Sequence, residues 1–214
     1  RWIVDARSTN AQFREPPGIA LASPEALGRI EADASRELFT AKADVDNFFL
    51  RLRIPLELSR WFALAPISAS DLGIDFCDDG PVDPDTLIYP CCATLPMGFS
   101  WAMFLAQSVT ENLLERAGEM WGTDWQLLSD RGPPGLAREG RTLVFGYVDN
   151  LGFISHDRAM ADACLKRALQ IFEDAGLVMH EIGWATSVAE VIGVEIDGQR
   201  LQVRPTQKRY WNLK

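Results

Sequence analysis

The chain has 214 residues, 47% of them apolar, and a formal net charge of −9. This apolar fraction supports a sizeable core and excludes global disorder, while the length suits one compact domain or two small lobes. No segment approaches the roughly 18 consecutive apolar residues of a membrane span, so we expect no membrane partner. The acidic balance argues against a free-standing nucleic-acid-binding module, which is normally basic, but clustered acids suit a metal-dependent site.

The cysteines and histidines follow neither a disulfide framework nor a zinc-site spacing. They are Cys77, Cys91, Cys92, Cys164, His156 and His180. Structural or incidental roles are expected for all six, and a reducing intracellular setting, in the cytoplasm or nucleus, fits this usage. Because the chain begins at Arg1 without a Met or a signal-peptide pattern, we expect an internal piece of a longer protein.

Short elements separated by loops are predicted in the first half of the chain. A helix should open at Ser23, because Ser is a favoured N-cap and the following Pro suits the first helical position. In order, the predicted elements are a short strand at the start of 1–10, a helix from Pro24 to about Leu38, a strand over 39–49, a strand over 61–67 and an acidic loop or hairpin tip over 71–85.

The second half of the chain shows longer periodic segments. In order, the predicted elements are a turn over 95–100, a helix over 101–115, a surface excursion over 122–140, a hairpin over 143–155, a helix over 157–174 that stops at Gly176, a strand over 190–196 and a strand over 200–204. Strands and helices in this order predict a mixed sheet backed by helices.

Two acidic segments stand out for chemistry. Apolar β-forming runs flank the pair Asp149-Asn150, which predicts a hairpin that holds a carboxylate at its tip, although Asp and Asn are also common in ordinary turns. A second segment, residues 43–49, places Asp44 at the end of a predicted strand. Two strand-borne acids brought together can hold divalent metal ions for phosphoryl transfer.

Five segments carry recognisable motifs. Residues 1–10 read Arg-x-apolar-Val-Asp-x-Arg-x-x-Asn, residues 43–49 place an aromatic ring after Asp44, residues 95–100 read Leu-Pro-x-Gly-x-Ser with Gln107 closing the following helix, residues 147–150 read Tyr-x-Asp-Asn, and residues 191–193 read Val-Ile-Gly. In this order they resemble the motifs of a reverse transcriptase, specifically the fingers and palm of a retrotransposon enzyme. The resemblance covers nearly the whole chain.

The resemblance implies an α+β fold, namely the fingers and palm of the polymerase right hand, with an antiparallel sheet backed by helices and the thumb missing. It implies fingers over 1–40 and 55–94, palm over 41–54 and 95–190 with the catalytic hairpin at 143–155, and the primer-grip region with the start of the thumb over 191–214.

The resemblance also implies a catalytic centre. Asp44 and Asp149 would bind two Mg²⁺ ions, with Mn²⁺ as an alternative, the Val45 carbonyl would be a further ligand, and Asn150 would complete the catalytic hairpin. These ions would activate the primer 3′-hydroxyl and neutralise charge on the incoming triphosphate. Val191, Ile192 and Gly193 would form the primer-grip region.

A nucleotide-binding role is implied for four further residues. Arg1 would clamp the triphosphate, which suits a planar cationic fork. Phe49 would be a steric gate that excludes a ribose 2′-hydroxyl, the alternative being an ordinary core phenylalanine. Met97 and Gly98 would line the nucleotide pocket, where Gly permits close approach of the backbone.

Two positions depart from the family pattern. Asn150 replaces the second Asp of the hairpin, which keeps an oxygen ligand but removes a charge and should weaken metal binding. Some viral RNA polymerases resemble this chain in carrying Asp-Asn at this turn. The family also usually has a Lys after the second palm helix, where this chain has His180-Glu181-Ile182-Gly183-Trp184. His180 could supply a proton there, but a surface role is favoured because the sequence identifies no partner.

The leading hypothesis is therefore an RNA-directed DNA polymerase of the two-metal type. Its partners would be an RNA template, a DNA primer, deoxynucleoside triphosphates and the rest of a polyprotein, including a thumb and in some arrangements RNase H and integrase. One alternative is a decayed copy that survives as a nucleic-acid-binding or interaction domain, which Asn150 and the missing Lys motivate. Another is a different palm enzyme, such as an RNA-dependent RNA polymerase or a nucleotide cyclase, which the fingers motif and Phe49 disfavour.

Overall fold

The computed structural model of the chain describes residues 3–122 and 124–207. It divides into two compact units, described separately below. Unit 1 comprises residues 1–16 and 49–102, and unit 2 comprises residues 17–48 and 103–214. Within the described residues, no helix combines the length and the apolar character that crossing a membrane requires.

Seven α-helices and fourteen short or medium strands are assigned along the described chain. The helices are α1 (Arg7–Asn10), α2 (Pro24–Gly28), α3 (Phe48–Arg51), α4 (Leu56–Ser59), α5 (Ala69–Leu72), α6 (Ala102–Gly118) and α7 (Arg158–Asp174), with a 3₁₀ turn at Arg60–Phe62. The strands are β1 (Glu31–Ala32), β2 (Phe39–Val45), β3 (Ile67–Ser68), β4 (Phe76–Cys77), β5 (Gly80–Pro81), β6 (Leu87–Ile88), β7 (Asp124–Leu127), β8 (Leu136–Ala137), β9 (Arg141–Tyr147), β10 (Asn150–Ser155), β11 (Met179–Thr186), β12 (Val188–Val191), β13 (Val194–Asp197) and β14 (Gln202–Pro205).

A five-stranded sheet forms the centre of unit 2, with the strand order β11-β2-β10-β9-β7. The first four strands pair antiparallel, and β7 pairs parallel to β9. The sheet is therefore mixed, as the order of elements predicts. The antiparallel sheet implied by the family resemblance is found in four of the five strands, and the parallel strand β7 departs from it.

The two faces of this sheet differ in what covers them. Along β2, residues 41, 43 and 45 are buried on one face, and helix α7 packs against β2, β10 and β11. The Asp157 side chain caps α7 by accepting the N–H groups of Ala159 and Met160, and Gly176 follows the helix at a φ of 81°. The predicted helix over 157–174 and its stop are thus confirmed, because the cap and the apolar stripe agree.

The other face of the sheet is covered in part by a small three-stranded sheet with the order β12-β13-β14. A buried cluster joins the two sheets and includes Phe145 and Ile154 from the hairpin and Val191 and Ile196 from the small sheet. Gly152 lets the Phe145 ring lie across β10, because a Cβ at that position would overlap the ring. Further along this face, Asp44 and Asn150 remain partly exposed to solvent.

Unit 1 is built from short elements around an aromatic cluster. The ring of Phe13 packs edge-on against Trp61 and against Phe99, with centroid separations of 5.4 and 5.0 Å. Phe99 also meets Phe62 at 5.0 Å. These edge-to-face contacts give unit 1 its own apolar centre.

The turn over 95–100 in unit 1 is held by residues from the first motif of the chain. The Val4 N–H donates to the Met97 carbonyl at 2.9 Å. The Asn10 side chain donates to the Gly98 carbonyl and accepts the Ser100 N–H, both at 2.9 Å. Two motifs that lie far apart in the sequence thus form one local structure.

Several predicted elements of the first half of the chain are wrong. The helix from Pro24 begins as expected with a Ser23 cap but ends at Gly28, because the chain turns back and pairs β1 with β8. The strand predicted at the start of 1–10 falls partly outside the described residues, and no strand is assigned to residues 3–6. Helix α1 follows, and the Asp5 carboxylate accepts the Arg7 N–H at its first turn. The predicted strand over 61–67 is also wrong, because the 3₁₀ turn that follows α4 ends at Phe62 and residues 64–66 are irregular, so that a strand, β3, begins only at Ile67.

In the second half, β7 and β8 lie inside the expected surface excursion over 122–140. The segment 190–196 is a hairpin of β12 and β13, not one strand. The sequence did not predict strand β11, because its bulges and its many exposed side chains obscure the alternation of buried and exposed residues that is typical of a strand.

The Leu95–Ser100 turn yields a test of unit 1. Gly98 has a φ of 114°, and a Cβ there would overlap the Val4 carbonyl oxygen. We expect Gly98→Ala to lower the free energy of unfolding by more than about 2 kcal/mol. The added Cβ would strain the backbone at positive φ and would also overlap the Val4 carbonyl oxygen. Urea unfolding followed by tryptophan fluorescence measures the change.

Gly73→Ala is the matched control in the same unit. Gly73 also has a positive φ, of 66°, but open space surrounds its missing Cβ. This substitution should cost only about 1 kcal/mol. If both variants lose the same stability, the close approach of residues 4 and 98 is not a constraint.

Candidate active site

Three strand ends meet at Asp44. In the sheet register, Asp44 lies directly opposite Asn150 of β10 on one side and opposite His180 of β11 on the other. The Val45 N–H donates to the Asp149 carbonyl at 2.8 Å. This bond makes Asp44 and Asn150 a non-hydrogen-bonded pair, the type in which Cα atoms approach to about 4.5 Å and side chains are closest.

Burial is the main influence on the Asp44 carboxyl group. Burial, together with the negative charge of Asp149, raises the pKa of Asp44 to about 6, whereas His180 opposes the rise. The Asp44 Oδ1 atom is buried and accepts no hydrogen bond from any residue of the described ranges. A buried oxygen without a donor is costly, so a cation at this position would stabilise the site.

Asp149 sits in the turn between β9 and β10. The Asn150 Nδ2 atom donates to Asp149 Oδ1 at 3.0 Å. Asn150 thus orients the neighbouring carboxylate by a hydrogen bond, whereas an Asp at this position would repel it. Asn150, where the family pattern has Asp, therefore lowers the negative charge of the site and supplies a hydrogen-bond donor to Asp149.

The donor set suits a hard divalent cation. Carboxylate oxygens are the ligands that Mg²⁺ prefers, and Mg²⁺ is commonly held by one or two carboxylates together with water and substrate phosphates. Among residues 3–122 and 124–207, no group of three or more acids, histidines or cysteines is arranged to hold a metal. Asp44 and Asp149 therefore fit a cation site that the protein only partly encloses and that bound phosphate would complete.

Side chains of helix α6 form hydrogen bonds with the β9–β10 hairpin. Gln107 accepts the Val148 N–H at 2.8 Å and donates to the Gly146 carbonyl at 3.1 Å, and the Thr110 hydroxyl donates to the Val148 carbonyl. Sequence reasoning noted Gln107 only as the end of a motif and missed Thr110. The available signal was a pair of polar residues at i and i+3 on an otherwise apolar helix face.

His180 and Lys42 flank Asp44. His180 is exposed, and the register slips by one residue between it and Gly183, which is a β-bulge beside the site. Lys42 lies two residues before Asp44, so both side chains project from the same face, and its Nζ donates to the Glu190 carbonyl at 2.7 Å. Sequence reasoning weighed His180 against a missing Lys but overlooked Lys42, because Lys42 lies on a different strand.

The predicted nucleotide-binding residues that the structure describes belong to unit 1. Phe49 is half-buried on α3, next to the fully buried Phe48. Met97 is half-buried, and Gly98 is exposed in the turn described above. Arg1 lies outside the described residues. The nucleotide-binding roles of these residues remain predictions.

The predicted primer-grip residues form the turn between β12 and β13. Val191 is buried in the core of unit 2, whereas Ile192 and Gly193 occupy the turn at φ values of 48° and 75°. A β-branched residue at positive φ is strained, and such strain persists only where surrounding contacts hold it. Contact with a primer remains a prediction for this turn.

The raised pKa of Asp44 predicts how stability depends on pH. The folded chain binds a proton at Asp44 more tightly than the unfolded chain, so this stabilisation is complete below about pH 4 and is lost as the pH rises through about 6. We expect Asp44→Asn to stabilise the protein more at pH 7 than at pH 4. Solvent screening at this half-buried group limits the difference to about 1 kcal/mol.

Urea unfolding at the two pH values measures this difference in the free energy of unfolding. Glu119→Gln removes an exposed carboxylate of the same unit and is the control, with the same small effect expected at both values. An Asp44→Asn effect that does not change between pH 4 and pH 7 would contradict the burial of this carboxyl group.

Comparisons with known proteins give a structural match and no sequence match. No protein-family profile and no curated protein sequence matches the chain. Among solved structures, it is similar to the foamy viral protease-reverse transcriptase dRH in complex with double-stranded DNA, with a TM-score of 0.65 and 16% sequence identity. The match covers 100% of this chain and 29% of that protein, so the chain spans less than a third of its length.

A structural match at 16% sequence identity is evidence for a shared fold, not for a shared function. The resemblance to reverse transcriptases is confirmed at that level, while the retrotransposon assignment and the division into fingers, palm and thumb remain predictions. The chain has a reverse-transcriptase-like, mixed α/β fold.

Proposed function

We propose that the chain is the RNA-directed DNA polymerase domain of a retroelement, which adds nucleotides to a primer under the direction of a template. The observation that carries this proposal is the pairing of Asp44 with the end of the Asp149-Asn150 hairpin inside a reverse-transcriptase-like fold. Two adjacent carboxylates on partly exposed strand ends are what phosphoryl transfer with divalent cations requires.

The proposal assigns a role to Asp44, to Asp149 and to Asn150. Asp44 and Asp149 hold two Mg²⁺ or Mn²⁺ ions, which activate the primer 3′-hydroxyl and offset the charge of the triphosphate. Asn150 keeps the Asp149 carboxylate oriented through its amide donor. The buried Oδ1 of Asp44 is without a hydrogen-bond donor among the described residues and is thereby available to a cation.

The partners follow from the same chemistry. An RNA template, a DNA primer and deoxynucleoside triphosphates would bind near the partly exposed end of the sheet, and the remaining polyprotein would supply further contacts. The net charge of −9 makes such contacts necessary, because an acidic chain alone binds nucleic acid poorly. Phe49, Met97, Gly98 and Arg1 are proposed to contact the nucleotide.

A second candidate function is a decayed polymerase that binds nucleic acid or protein without catalysis. The observation in its favour is Asn150, which leaves the described site with two carboxylates and no third acidic ligand. Binding of a template–primer duplex that is independent of metal, and unchanged when both acids are removed, would favour this candidate.

Primer extension on an RNA template tests the proposal. The chain is assayed alone and together with its downstream sequence, with Mg²⁺ or Mn²⁺ present. We expect extension that falls by at least about 100-fold in Asp44→Asn and Asp149→Asn, because each removes a charged ligand. Asn150→Asp should preserve or raise the rate at limiting Mg²⁺.

Asp174→Asn is the matched control, since it makes the same chemical change at the exposed end of α7. Its extension rate should equal that of the unmodified chain. The polymerase proposal fails if no extension occurs in any arrangement and Asn150→Asp does not restore it.

A further inference from the structure

Val148 occupies a strained conformation at the tip of the catalytic hairpin. Its φ is 55°, in the left-handed region that β-branched residues avoid. A residue remains in this region only when neighbouring contacts hold it there. Val148 directly precedes Asp149, so its backbone angles set the direction of the following peptide and of the Asp149 carboxylate.

Two buried side chains of α6 hold Val148 by both of its backbone groups. Gln107 Oε1 accepts the Val148 N–H at 2.8 Å, and the Thr110 hydroxyl donates to the Val148 carbonyl. Gln107 is 2% exposed and Thr110 is fully buried. Hydrogen bonds at such buried positions are costly to break, because water cannot replace them readily.

The Gln107 amide is itself held in place. Its Nε2 atom donates to the Gly146 carbonyl at 3.1 Å and to Glu111 Oε1 at 2.8 Å. Gly146 allows α6 to come this close, because a Cβ there would lie 2.9 Å from Leu114 Cδ1 and 3.1 Å from Thr110 Cγ2. The helix, the hairpin and the amide therefore form one packed unit.

The hairpin turn is held from its other side by β2. There the Val45 N–H donates to the Asp149 carbonyl at 2.8 Å. With α6 bonded to Val148 and β2 bonded to Asp149, the two residues of the turn are tied to separate elements. This arrangement leaves the turn little freedom to relax into an unstrained conformation.

The geometry points to Gln107 and Thr110 as positioning residues that hold Val148 in its strained conformation and thereby aim Asp149 at the cation site it would share with Asp44. This inference rests on the proposed function for the role of Asp149. Gln suits position 107 because one amide both accepts and donates, which an ionised Glu cannot do. Thr suits position 110 because its hydroxyl donates to a carbonyl.

A pair of substitutions at position 110 tests the inference in the full chain. Thr110→Val keeps the shape of the side chain but removes the donor, whereas Thr110→Ser keeps the donor. The first readout is the dissociation constant for Mn²⁺, measured by electron paramagnetic resonance. The second is the hydrogen-exchange rate of the Val148 and Asp149 amides, measured by NMR.

Thr142→Val is the matched control, because Thr142 is another fully buried threonine of the same hairpin, away from its tip. We expect Thr110→Val to raise the Mn²⁺ dissociation constant about tenfold, which is typical for the loss of a group that orients a metal ligand. Amide exchange at the turn should accelerate on the order of tenfold. Thr110→Ser and Thr142→Val should stay within about twofold of the unmodified chain on both readouts.

Failure of the inference and failure of the proposed function give different results. If the unmodified chain binds Mn²⁺ and Thr110→Val matches Thr110→Ser in affinity and exchange, the positioning role is overturned and the polymerase proposal stands. If the unmodified chain binds no Mn²⁺, the proposed function is overturned, and the exchange rates decide whether α6 holds the turn. Equal exchange rates in the two variants overturn the inference in either case.

Discussion

The hydrogen bond from the Val45 N–H to the Asp149 carbonyl ties the two acidic segments of this chain together. It fixes the register of β2 against β10 and makes Asp44 the direct neighbour of Asn150. A slip of one residue would turn Asp44 toward α7 and bury its charge among apolar side chains. The apolar residues 41, 43 and 45 on the opposite face therefore determine where the carboxylate lies.

The Asp44 and Asp149 carboxylates lie close enough to repel each other. Burial and the Asp149 charge raise the pKa of Asp44, so the protein without a bound cation holds two carboxylates at a cost. Asn150 reduces that cost by donating to Asp149 in place of adding a third negative charge. In the proposed function, a bound cation and the phosphates of the substrate would offset the charge that remains.

The sequence predicts best those elements in which the local preference of the residues for a helix or a turn agrees with their packing in the fold. The hairpin around Asp149 and the helix capped by Asp157 were both foreseeable, because turn chemistry, capping and apolar period all indicate the same structure. Helix α2 stops early because pairing of β1 with β8 overrides its helical periodicity, and β11 was hidden by bulges. Two polar residues on an apolar face of α6 mark Gln107 and Thr110 in the sequence, but their partner Val148 could not be predicted, because no local pattern shows which strand a buried Gln faces.

Anomalous diffraction from crystals grown with Mn²⁺ tests the shared cation site most directly. The account predicts an anomalous peak within about 2.3 Å of a carboxylate oxygen of Asp44 and also of Asp149, consistent with oxygen coordination of a divalent cation. The same data from Asp44→Asn crystals should show a weaker peak or none. A peak that contacts only one of the two acids, or Mn²⁺ bound elsewhere while this pair stays empty, would contradict the account.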